Sequence, residues 1–158
     1  MMQLDVYSNS FLNKRQLKCL NDGINSTVHK AISLSELNDI YSKSDIALHV
    51  ESFDLKNRLA VRLSFSTKII DCLASGCATV AICHKSQSGF QYLKTNDVAL
   101  CCDNLNQLEQ LLNTIIKSPN ILCDVQKRAV DFGKLNHSEK IITKELCADF
   151  CRVVHGEV

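Results

Sequence analysis

Short runs of consecutive apolar residues alternate, over roughly the first two thirds of the chain, with stretches whose apolar positions recur every three or four residues. The runs Leu4 to Tyr7, Thr27 to Ala31, Ile46 to Val50, Ala78 to Ile82 and Val98 to Cys102 read as strands. Between them lie helix signals. Asn13 to Asp22 reads as a helix closed by Gly23. Ser33 and Glu36 have capping-box spacing ahead of Leu37, Ile40 and Tyr41. Ser66 and Thr67 precede an apolar face of Ile69, Ile70, Leu73 and Ala74 that ends at Gly76, and Gln87 to Lys94 reads as a short helix. The stretch from Glu51 to Phe65 has little periodicity and is expected to be a loop, either functional or disordered. The remainder is helical. Leu105, Leu108, Leu111, Leu112, Ile115 and Ile116 form one apolar stripe, Pro119 interrupts, and a second helix follows. Asn136 and Glu139 cap a third whose inward face is Ile141, Ile142, Leu146 and Phe150. Strands alternating with helices predict an α/β fold: a Rossmann-like, doubly wound parallel sheet of about five strands with helices on both faces and a helical C-terminal tail.

At 158 residues and 46% hydrophobic content, the chain has the size and apolar content for one compact domain, residues 1–158. Eighteen Lys and Arg against 17 Asp and Glu leave a formal charge of +1, so no net field attracts nucleic acid. No basic leader precedes an apolar run, and no apolar stretch reaches the ~20 residues of a membrane span. The expectation is a cytoplasmic protein, with peripheral attachment at the inner face of the membrane left open. Nine cysteines, an odd number without C-x-x-C spacing, do not make a disulfide framework or a zinc knuckle. Cys72, Cys77, Cys83, Cys101 and Cys102 fall in apolar stretches, where a thiol acts as a small hydrophobe. Cys147, Cys151 and His155 share one helix face, which offers poor tetrahedral closure, so no metal is expected.

In open parallel sheets, ligands bind outside the carboxyl ends of the strands, which points to the loop after Val50 and the helix that follows it. The residue types there suit phosphate. Ser64, Ser66 and Thr67 bring hydroxyls to a helix start whose free N–H groups favour an anion. Lys68, Arg58 and Arg62 bring cations. Asp71 lies four residues beyond Thr67 on the same helix face, about 6 Å along the axis, the step from a phosphate to its ribose. A Ser-Thr pair at a helix start also serves as an ordinary cap, and these features alone do not separate the two roles.

The run SDIALHV, a loop, and then SFSTKIIDCLASGCATVAI resembles the core of retaining GT-B glycosyltransferases, particularly family 4, in which a helix of the form E-A-M-A-x-G-x-P-V follows a phosphate-binding turn. VHKAISLSELNDIYSKSDIAL and SGFQYLKTNDVALCCDN resemble the flanking segments, so the likeness runs to about residue 115. The resemblance implies a nucleoside-diphosphate-sugar donor and transfer with retention, with no resident cofactor. It places Ser64, Ser66, Thr67, Lys68 and Arg62 against the diphosphate and Asp71 on the ribose, and it sets Ala31, Ile32, Ser33 and Leu34 near the base. The family has another glutamate eight residues before the ribose carboxylate. Position 63 here is Leu, which leaves Glu51 and Asp54 as the carboxylates near the sugar. The family's domain opens with one more strand and helix and works with an acceptor-binding domain ahead of it. The expectation is therefore the donor half alone, dependent on a separate or missing acceptor domain. An unpaired strand edge left in this way is a template for a homodimer.

The histidines have plainer readings: His49 ends a buried strand with a satisfied ring, His84 lies at the binding edge, and His29 and His137 are surface or cap-adjacent. Which enzyme class applies, and whether the chain is instead a non-catalytic nucleotide- or phosphate-binding module, stays open at this level. A dehydrogenase is disfavoured because no G-x-G-x-x-G follows any strand.

Overall fold

A computed structural model describes residues 2–156, an α/β protein with parallel strands and a helical C-terminal region. The chain divides into two compact units, one ending at Ile40 and the other beginning at Tyr41.

The first unit holds β1 (Leu4–Ser8), α1 (Lys14–Leu20), β2 (Ser26–Lys30) and nearly all of α2 (Leu34–Tyr41). β1 and β2 pair in parallel, Leu4 opposite Ser26 through Ser8 opposite Lys30. Asn13 caps α1 reciprocally: its Oδ1 accepts from the Gln16 amide at 2.9 Å, and Gln16 Oε1 accepts from the Asn13 amide at 3.0 Å. The helix stops at Leu20, short of Asp22, because the Asp22 carboxylate organises the turn instead. It accepts backbone N–H groups from Ile24, Asn25 and Ser26 at 2.9, 2.7 and 2.8 Å, with Gly23 at φ +70°. Those donors hold the Asp22 carboxyl at about 2. The capping box before α2 forms as expected, with Glu36 Oε2 accepting from the Ser33 amide at 2.8 Å and Ser33 Oγ accepting from the Glu36 amide at 3.3 Å.

The second unit holds β3 (Ile46–Val50), α3 (Leu55–Ala60), α4 (Lys68–Ala74), β4 (Ala78–Ile82), α5 (Ser88–Thr95), β5 (Leu100–Cys102), α6 (Leu105–Lys117), α7 (Asn120–Asn136) and α8 (Glu139–His155). Its strands run parallel in the order β3-β4-β5. Ala78 through Ala81 of the central strand are all buried, the signature of a parallel strand covered on both faces. The core joins Ile69 and Leu73 of α4 to Ala81, Cys83, Phe90, Leu93, Val98 and Ala129. α7 reaches this core by a close approach at Gly133, where a Cβ would stand 3.3 Å from Leu73 Cβ and 3.4 Å from Leu73 O.

Several expectations are corrected by packing. The strands are hydrogen-bonded as one sheet of two and one of three. The stretch from Glu51 to Phe65 is not wholly loop, since Asp54 caps α3 within it. Asn136 ends α7 rather than opening α8, which starts after Ser138. The apolar face of α8 is not inward: Ile142, Leu146 and Phe150 are exposed, as are Leu105 and Ile116 of α6. Of the nine thiols, Cys72, Cys77, Cys83 and Cys102 are buried and Cys101 is partly buried. Among the described residues, no helix is long and apolar enough to cross a membrane.

Candidate functional site

The ends of β3 and β4 bring the loops of the second unit together around a cavity of about 120 Å³. His49, the penultimate residue of β3, supplies a buried wall. Glu51 follows it, tied across the sheet by its amide, which donates to Ile82 O at 3.1 Å. Val61, Ser64 and Ser66 also line it, together with Gln87 and Gly89 at the start of α5.

The serine-bearing segment is held from two directions. Ser88 donates its hydroxyl to Ser64 O at 2.7 Å and its amide to Arg62 O at 3.4 Å. Phe65 packs edge-on against Tyr92, ring centroids 5.1 Å apart, and Tyr92 Oη meets His137 Nε2 at 2.7 Å. These contacts fix the backbone between Ser64 and Ser66 from α5 and from the end of α7. α4 then begins with the Ile69 and Ile70 amides donating to Ser66 O and Thr67 O, and the Thr67 side chain makes no cap bond.

Electrostatically the cavity is uneven. His49 is 1% exposed, and burial lowers its pKa; Glu51, with Oε1 3.9 Å from His49 Nε2, opposes that shift, and Lys68 adds to it. The ring is accordingly neutral near pH 7, and its Nδ1 has no partner among the described residues. Gln87 is 3% exposed, and neither atom of its side-chain amide has a partner there. Gly89 lies close to its neighbours: a Cβ would stand 2.8 Å from Ile69 Cδ1, the end of that side chain, and in ordinary contact, at 3.5 Å, with His49 Nε2.

The residues singled out in the sequence divide as follows. Ser64, Ser66 and Glu51 line the cavity. Thr67, Lys68 and Asp71 are exposed along the first turn of α4, and Arg62 is exposed in the preceding loop. Asp54 is occupied as the cap of α3, accepting from Ser52 Oγ and from the Asn57 and Lys56 amides, which lowers its pKa. Ala31 to Ser33 lie between β2 and α2 in the first unit, and Leu34 opens α2. His84 turns inward on its own loop, with Nδ1 2.8 Å from Ser86 Oγ. His49 and Gln87 were missed. The ring expected to be satisfied carries an unpartnered nitrogen, and Gln87, read as the start of a short helix rather than as a site residue, caps α5 with a buried, unpartnered amide.

Buried thiols offer no nucleophile here. Burial pushes Cys83 up to about 12 and Cys72 and Cys101 to about 11, so they stay protonated. Among the described residues, no group of His, Cys, Asp and Glu is arranged to hold a metal ion. No family model, curated protein or solved structure matches the chain.

Proposed function

We propose that the chain is the donor-binding part of a glycosyltransferase, which transfers a sugar with retention from a nucleoside-diphosphate-sugar to an acceptor held by a separate N-terminal domain. One observation carries this reading. A cavity at the carboxyl ends of parallel strands is bordered by Ser64, Ser66 and Glu51, and the same short stretch continues into Lys68 and Asp71 on one helix. On this reading the diphosphate lies against Ser64, Ser66, Thr67 and Lys68, with Arg62 near it. Asp71, about 6 Å further along α4, accepts from the ribose diol. Glu51 faces the sugar. Neither a metal nor a resident cofactor is required.

A second reading, a non-catalytic nucleotide- or phosphate-binding module, is favoured by Leu63, which is 85% exposed where the family carries a glutamate. Thermal-shift measurements with uridine and guanosine diphosphate sugars and cytidine monophosphate sugars test the nucleotide reading. A rise in Tm confined to the sugars of one base is expected. No rise with any of them would overturn both readings as far as nucleotides are concerned.

A further inference from the structure

Large apolar side chains of α8 stand in water along one face of the helix. Ile142, Leu146, Phe150, Val153 and Val154 recur at the spacing of a single helix face, and they are between 42% and 79% exposed. A contiguous apolar face of this kind marks an interaction surface. α8 has 17 residues, so the face is about 25 Å long, and none of its residues lines the cavity at the ends of β3 and β4. We propose that α8 is a dimer interface, that α8 of a second copy of this chain covers it, and that the two helices lie antiparallel about a twofold axis passing near Ala148.

The occupant is read from what flanks the stripe. In a twofold pair, a residue that meets a partner residue is met by it in return. A self-complementary antiparallel helix therefore carries opposite charges on one flank, equally placed about its middle. Glu145 and Arg152, two turns apart on one flank of the stripe, are placed in this way. Each Glu145 then meets the second copy's Arg152, the kind of flanking pair that sets orientation between helices. Asp149, at the edge of the stripe, is already paired within its own helix, with Arg152 Nη2 2.9 Å from Asp149 Oδ1, so no bare carboxylate enters the seam. The other flank carries the exposed thiols of Cys147 and Cys151, one turn apart. The same axis sets Cys147 beside the second copy's Cys151 and Leu146 on its Phe150. Ionic, thiol and apolar pairs thus agree on one register. A lipid surface is a poorer match, because a helix that lies on one carries a basic polar face, whereas Glu139, Glu145 and Asp149 here balance Lys140, Lys144 and Arg152.

Sedimentation velocity on the full chain under reducing conditions, from micromolar to millimolar concentration, should show a reversible equilibrium of monomer and dimer. Leu146→Glu should leave monomer only, with the Tm of the dilute protein nearly unchanged, because this side chain is already exposed in the single chain. Glu145→Arg and Arg152→Glu should each weaken the dimer about tenfold, since each sets like charges together twice. An equal mixture of those two variants should recover the wild-type strength, because each then supplies the charge that the other lacks. Oxidised glutathione should cross-link wild-type chains between Cys147 of one copy and Cys151 of the other, each new disulfide releasing two molecules of reduced glutathione. A chain that stays monomeric throughout, or a dimer indifferent to Leu146→Glu, overturns the proposal. So does a mixture no tighter than its components, or cross-linking confined to the exposed Cys19 and Cys123.

Discussion

At the scale of single residues, the cavity's character comes from burial acting on polar groups. His49 is kept neutral by desolvation, with its pKa below the ordinary value of 6.5. The unfolded chain therefore takes up a proton more readily than the folded one, so this contribution to stability is fully present above that ordinary value. It is lost as pH falls through it toward the lower folded value. Melting curves between pH 8 and pH 5 should show a loss of stability on the acid side that His49→Gln reduces; an identical pH dependence in the variant would mean the ring is not desolvated. Ser64, Ser66 and Glu51 were legible in the sequence because hydroxyls and a carboxylate beside a strand end and a helix start form a recognisable pattern. Gln87 was not. An amide has no periodicity of its own, and its burial at the start of α5 comes from tertiary packing.

At the scale of elements, local chemistry fixed most boundaries. β3 and β4 fall where the apolar runs begin and end, and the box at Ser33 and Glu36 starts α2. α3 escaped because a helix of six residues is too short to set up a readable apolar stripe; only the Asp54 cap marked it. Periodicity did reveal the stripe of Ile142, Leu146 and Phe150 on α8, but a stripe says that a face is apolar and not what covers it. α7 is the opposite case, where a glycine with no local role in the sequence sets a close helix approach. Gly133→Val should press on Leu73 and destabilise by about 1–3 kcal/mol, as overpacking does. Urea denaturation measures this. Unchanged or higher stability would show that α7 does not pack on α4 in this way.

At the scale of the whole molecule, strand direction and the alternation of strands with helices were readable, since crossover helices between short apolar runs leave parallel pairing as the simple solution. The division of the strands into one sheet of two and one of three was not, because which strand edges meet depends on contacts far apart in sequence. The functional account depends on Asp71, exposed one turn along α4 from Thr67. If it holds the ribose, its loss removes a charged acceptor from the ligand and little packing from the fold. Isothermal titration calorimetry of the wild type and Asp71→Ala, each with the nucleotide sugar that raises Tm most, is the most direct measurement. The account predicts a loss of about 1.5–3 kcal/mol in binding, roughly ten- to a hundredfold in Kd, with Tm in the absence of ligand nearly unchanged. Equal affinity in the two proteins, with a lowered Tm in the variant, would contradict it and leave Asp71 as a partner of the helix dipole alone.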